Sequence, residues 1–129
     1  MLWWPKGDPH VLAQDENNLM KIDLSMSFIT GASGFIGARI AERLWLDHRI
    51  AARCLVRNFA NSVRLARLPV PMFYGDVLDK SSLENAIGES KIVFHCAYGN
   101  TRDPELNRRI NEDGLRNLGE ISLQRGVQR

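Results

Sequence analysis

Residues 30–37 read Thr30-Gly31-Ala32-Ser33-Gly34-Phe35-Ile36-Gly37, and this stretch decides the fold. It follows an apolar run, Met26-Ser27-Phe28-Ile29-Thr30, that has the composition of a strand. It leads into Gly34 to His48, a stretch with helical periodicity expected to bury Phe35, Ile40 and Leu44. Each glycine has a physical reason for its place. A tight turn from strand to helix needs a residue without a Cβ at Gly31. A pyrophosphate needs close backbone approach near Gly34, and the helix must pack near the strand at Gly37. The helix start, with its exposed N–H groups and the positive end of its dipole, is then a phosphate site. The alternative is a structural turn without a ligand.

Working outward, short β-like runs alternate with helical stretches. The spacing predicts strands over Met26–Thr30, Ala51–Val56, Val70–Tyr74 and Ile92–Ala97, with a short helix near Asn61–Leu68 and another over Ser81–Gly88. Ser81 and Glu84 have the spacing of a capping box. The last helix is punctuated by Asp103 as N-cap, Pro104 at its first position and Gly126 past its end, with Leu106, Ile110, Leu118 and Ile121 forming one apolar stripe. Gly114 lies inside that helix, where Gly costs about 1 kcal/mol relative to Ala, so either something approaches its backbone or it is simply tolerated. The pattern is a βαβ series: an α/β, Rossmann-type parallel sheet with helices on both faces, ending after the fourth strand and its following helix. Its expected strand order is 3-2-1-4.

The chain has 129 residues, which suits one domain, and 44% hydrophobic with 25% charged residues is ordinary globular composition. Seventeen basic against fifteen acidic residues leave a net charge of +2, too little for the footprint of a nucleic-acid binder. The charge is uneven, because seven arginines and two acids lie between Arg39 and Arg67. That stretch is either a solvated helix face or a phosphate-facing surface. Cys54 and Cys96 have neither CxxC spacing nor a His cluster, which argues against a zinc site and fits a reducing cytoplasm. They are not expected to bond to each other, since their strands flank strand one. No run of eighteen apolar residues exists, so no membrane span is expected.

Residues 1–24 have no apolar period and are read as a flexible extension; a docking segment using Trp3 and Trp4 is the alternative. Met1, Met20 and Met26 are each possible starts. Residues 25–129 form the partial dinucleotide-binding domain.

The motif TGASGFIG, written GxxGxxG, resembles that of the extended short-chain dehydrogenase/reductase superfamily, the NAD-dependent epimerase/dehydratase family. Four further segments match in order: Leu55-Val56-Arg57, Gly75-Asp76-Val77, Val93-Phe94-His95-Cys96-Ala97, and Asn111 to Gly114 with Asn117. The resemblance covers residues 26–129. It implies a dinucleotide held by Gly31, Ser33, Gly34, Phe35, Ile36 and Gly37 at the pyrophosphate, Asp76 and Val77 at the adenine, and the Ala97 backbone near a ribose. About twenty residues beyond Gly37, where NAD-specific domains place an acid, this chain has Arg57. A guanidinium there suits a 2′-phosphate, so NADP is favoured and NAD remains possible. The other reading of Arg57 is an exposed strand-end arginine.

Relatives use a Tyr-x-x-x-Lys pair and a Ser, which come after a fifth strand. Here Tyr74 is followed four residues on by Leu78, and Tyr98 by Arg102, which cannot exchange its proton as Lys can. No catalytic residue is therefore assigned. In relatives an Asn matching Asn111 holds a water and the catalytic Lys; a helix-packing role is the alternative. His95 and Cys96, adjacent on a strand, point to opposite faces and cannot form a catalytic pair. The expectation is the cofactor-binding portion of an epimerase/dehydratase-like oxidoreductase, inactive alone. The alternatives are a non-enzymatic NADP-binding sensor or interaction module and a truncated reading frame. Strand four, nearly all apolar, would form an edge open to self-association.

Overall fold

Every apolar run expected to form a strand does so in the computed structural model, which describes residues 24–129. The extension, Trp3, Trp4 and Met20 lie outside the described residues, while Leu24 packs against the core. The strands are β1 (Ser27–Thr30), β2 (Arg53–Val56), β3 (Met72–Tyr74) and β4 (Ile92–His95), each shorter than its apolar run. All three pairings are parallel, in the order β3-β2-β1-β4. The crossover from β3 to β4 passes β1, so the connections reverse direction at the β1/β4 seam.

Helices cover both faces, which is why the strands are apolar on both sides. On one face α1 (Phe35–His48) and the short α2 (Val63–Ala66) bring Ala38, Ala41, Leu44 and Leu65 against Ile29, Cys54 and Val56. On the other, α3 (Lys80–Ile87) and α5 (Gly114–Arg125) pack Leu83, Ile87, Leu118 and Ile121 against Phe28 and Leu55. Phe28 and Ile29 are adjacent and fully buried on opposite faces, so the pleat of β1 serves both cores. Truncating either to Ala would cost about 2–5 kcal/mol.

The long final helix is three segments: α4 (Pro104–Arg108), a π-helical turn (Arg109–Asp113) and α5. Asp103 caps its start by accepting from the Glu105 and Leu106 N–H groups, and Gly126 ends it in the left-handed region at φ 67°. The π turn was not foreseen, but its neighbour Gly114 answers the question raised by the sequence. A Cβ there would stand 2.6 Å from Val77 Cγ2, so Val77 is what approaches the backbone.

Two expectations are corrected. Phe35 is not buried in the core; it is 76% exposed, because the first turn of α1 projects past the end of the sheet. The cap of α3 is Asp79, whose carboxylate accepts from the Ser81 N–H, so Ser81 lies inside the helix and the capping box does not form. β4 is an edge of the four-stranded sheet, as expected, and at its start the Gln128 and Arg129 N–H groups donate to the Lys91 carbonyl while the Val93 N–H donates to the Arg129 carbonyl. These bonds add no fifth strand among the described residues.

Candidate functional site

The turn after β1 is tight enough to exclude side chains. Gly31 has φ 63°, and a Cβ on it would lie 2.5 Å from the backbone of Cys96 and Ala97; one on Gly37 would lie 2.3 Å from the Gly31 carbonyl oxygen. Neither contact has a flexible partner to move away. Gly34 differs. Its backbone is extended, at φ −75° and ψ 173°, the residue is exposed, and a Cβ there would lie 3.2 Å from the Gly31 carbonyl oxygen, tight but not excluded. It is the N-cap of α1, yet no side chain caps that helix and no acid lies in its first turn. The first N–H groups of a fourteen-residue helix are thus left for an anion, with the positive end of its dipole behind them.

A groove opens at the C-terminal ends of the strands, at the seam where the connections reverse. It is lined by Gly31, Ser33 and Gly34 after β1, Leu55 and Arg57 at the end of β2, Asp76 and Val77 after β3, and Cys96, Ala97 and Tyr98 after β4, with Ile110 from the π turn. The structure therefore brings seven of the expected site residues together. Gly37 sits beneath them as packing, and the exposed Phe35 and Ile36 side chains lie outside the groove. Leu55, Cys96, Tyr98 and Ile110 were not among the expected site residues, although Leu55 and Cys96 lie in the matched segments and Tyr98 follows the matched Ala97.

Two walls are pinned by named bonds. Asp76 Oδ1 accepts from the Leu78 N–H at 2.9 Å, its own N–H donates to Ser82 Oγ at 3.0 Å, and Asn117 Nδ2 donates to the Val77 carbonyl at 3.0 Å. On the opposite wall Asn111 clamps Gly99, accepting its N–H at 2.8 Å and donating to its carbonyl, while Asn107 holds Thr101 in the same loop. The side chain of Asn111 thus has the structural task of holding the loop after β4.

The arginine-rich stretch divides by position. Arg39 pairs with Glu42, and Arg43 with Asp47, on the outer face of α1. Arg53 turns inward, donating to the Ala86 and Asn85 carbonyls and stacking 4.0 Å from the Phe73 ring centroid. Arg64 lies over the exposed Phe35 ring. Arg57 alone of the seven lines the groove.

Cys54 and Cys96 are both free, and burial pushes the Cys54 thiol up to about 12 and raises that of Cys96, so neither is poised as a thiolate. Among the described residues no cluster of His, Cys, Asp or Glu could hold a metal ion, and no helix is long and apolar enough to cross a membrane.

The NAD dependent epimerase/dehydratase family model matches residues 27–129, and the chain belongs to that family. A putative dihydroflavonol 4-reductase from Synechocystis is 30% identical over 105 residues, 79% of this chain and 30% of that protein. Among solved structures, the UDP-glucose 4-epimerase of Thermus thermophilus in complex with NAD is 32% identical with a TM-score of 0.65, covering 78% of this chain and 34% of that one. The Escherichia coli NADPH-dependent quinone oxidoreductase QOR2, complexed with NADPH, is 25% identical with a TM-score of 0.63, covering 79% and 34%. The chain spans about a third of the length of each of these proteins.

Proposed function

We propose that the groove binds a nicotinamide dinucleotide and that this chain is the cofactor-binding portion of an oxidoreductase of the epimerase/dehydratase family. The observation that carries the reading is the uncapped N-terminus of α1 beside two glycines that have no room for a Cβ. Ser33, Gly34 and the N–H groups of Phe35, Ile36 and Gly37 would hold the pyrophosphate, with Gly31 shaping the turn. Asp76 and Val77 would flank the adenine, and the Ala97 backbone would meet a ribose. When bound, the dinucleotide supplies a hydride acceptor or donor. The relatives' complexes with NAD and with NADPH support either form of cofactor.

Arg57 favours NADP. It stands at the end of β2 and lines the groove, where it offers a 2′-phosphate a charged donor in the place of the acid that would accept from a ribose hydroxyl. Catalysis is a separate matter. The 129 residues contain no Tyr-x-x-x-Lys, so this stretch is proposed to bind cofactor without turning over a substrate. Two unpaired cysteines and a soluble family fold fit a cytoplasmic setting. The reading is tested by calorimetric titration of NADPH into the chain and into a Gly34→Leu variant; equal affinity of the two would overturn it.

A further inference from the structure

The seam beneath the glycine turn is held by two side chains to which the cofactor reading gives no task. Thr30, the last residue of β1, is 0% exposed, and its Oγ1 lies 2.7 Å from His95 Nδ1, directly opposite in the β1/β4 register. The same oxygen accepts the Ala97 N–H at 3.4 Å, and the Thr30 carbonyl accepts the Cys96 N–H at 3.1 Å. A hydroxyl oxygen that already accepts from the backbone has its own proton free for the ring. The assignment that uses this proton has His95 Nδ1 accepting it and the ring proton on Nε2. Immediately beyond, the Gly31 turn lies against the backbone of these same residues, Cys96 and Ala97.

We infer that His95 is a positioning residue for the groove: as a neutral imidazole accepting from Thr30 it holds the Gly31 turn against Cys96 and Ala97, and its protonation weakens dinucleotide binding. The inference rests on the cofactor reading above. An imidazolium carries N–H at both nitrogens. The Thr30 hydroxyl would then have to accept from His95 as well as from Ala97, and its own proton would lose the ring as its acceptor.

The surroundings leave His95 as the group that titrates. Arg57, Asp76, Cys96 and Tyr98 line the groove above the seam, and Arg129 bonds to the outer edge of β4. The helices on the Val93 and Ala97 face contribute apolar residues to the core beneath and turn their charges outward. There Lys80 pairs with Glu120, and Arg108 and Arg116 pair with Glu105, Glu112 and Asp113. Burial lowers the His95 pKa, and no charged neighbour contributes. The sign follows. A folded-state value below the ordinary one means that full order holds above the ordinary imidazole range and is lost as pH falls through the folded value.

The test uses NADH, which has no 2′-phosphate to titrate, and follows its affinity from pH 8 to 5 in the parent, His95→Asn and Thr30→Val chains. The ring of His95 is followed by NMR in the parent and in Thr30→Val. Parent affinity is expected to be flat at high pH and to fall roughly fivefold on acidification, the equivalent of one net hydrogen bond. His95→Asn retains an acceptor at the δ position and cannot titrate, so its affinity should stay flat. Thr30→Val removes the donor that favours the neutral ring, so His95 should titrate closer to its ordinary value and NADH should bind more weakly at every pH. Identical pH profiles in parent and His95→Asn, or an unmoved His95 titration in Thr30→Val, would overturn the inference. A parent chain that binds NADH at no pH would instead refute the cofactor reading, and the ring titration would still decide whether the Thr30 contact exists.

Discussion

Replacing Gly37 by Ala adds one carbon where the structure has no room for it. The new Cβ would lie 2.3 Å from the Gly31 carbonyl oxygen and 2.9 Å from the Ala32 Cα, both backbone atoms fixed by the turn. Reaching ordinary contact would require α1 to move away by about 1 Å, carrying Ala38, Ala41 and Leu44 out of register with the sheet. Overpacking of this kind costs about 1–3 kcal/mol, and a rigid backbone neighbour places it at the upper end. The helix propensity of Ala over Gly returns about 1 kcal/mol, leaving a net loss of about 2 kcal/mol, or roughly 10 °C in melting temperature. Gly119, midway along α5 with nothing within 4 Å of its would-be Cβ, is the internal control. Gly119→Ala should gain about 0.5–1 kcal/mol from the same propensity. Thermal and urea unfolding of both variants measures the difference. Gly37→Ala melting at or above the parent temperature would refute the close-approach argument.

Other outcomes follow from single contacts. NADP should bind about ten- to hundredfold more tightly than NAD, the range of one charge-assisted phosphate contact, and Arg57→Ala should erase the difference in calorimetry. Asp79→Ala should cost about 1 kcal/mol in urea unfolding through loss of the α3 cap, whereas Ser81→Ala should cost less than about 0.5 kcal/mol. The 129-residue chain should oxidise no NADPH with any aldehyde or ketone tried; turnover that disappears in Tyr98→Phe would contradict the absence of a catalytic pair.

What the sequence made legible was local. The Gly31, Gly34 and Gly37 spacing carries its own steric reason, so the strand, turn and helix could be read without knowing any partner element. The same is true of Asp103, Pro104 and Gly126, which punctuate the final helix at both ends. The order β3-β2-β1-β4 followed from the βαβ pattern and the resemblance. What stayed hidden depends on where one element ends relative to another. Phe35 fits an apolar helical period but lies in a turn that overshoots the sheet. Asp79 and Ser81 are both good caps, and only the backbone decides between them. The pairing of Thr30 with His95 joins residues 65 apart and exists only because the parallel register sets them opposite. The π turn follows neither the 3.6 nor the 2.0 period, although Gly114 marked the place where Val77 presses on the helix.

The central claim is that the N-terminus of α1 receives the phosphates of a dinucleotide. Calorimetric titration of NADPH into the parent and Gly34→Leu chains tests it most directly, because Gly34 is exposed, its backbone is extended, and a Cβ there would meet only the Gly31 carbonyl oxygen, at 3.2 Å, a contact that a shift of a few tenths of an ångström relieves. A leucine there should fold and place its side chain where the pyrophosphate would lie. The account predicts saturable binding to the parent, a loss of at least about a hundredfold in Gly34→Leu, equivalent to about 3 kcal/mol, and melting temperatures within a few degrees of each other. Equal dissociation constants for the two folded chains, or a folded parent that binds neither NADPH nor NADH, would contradict it.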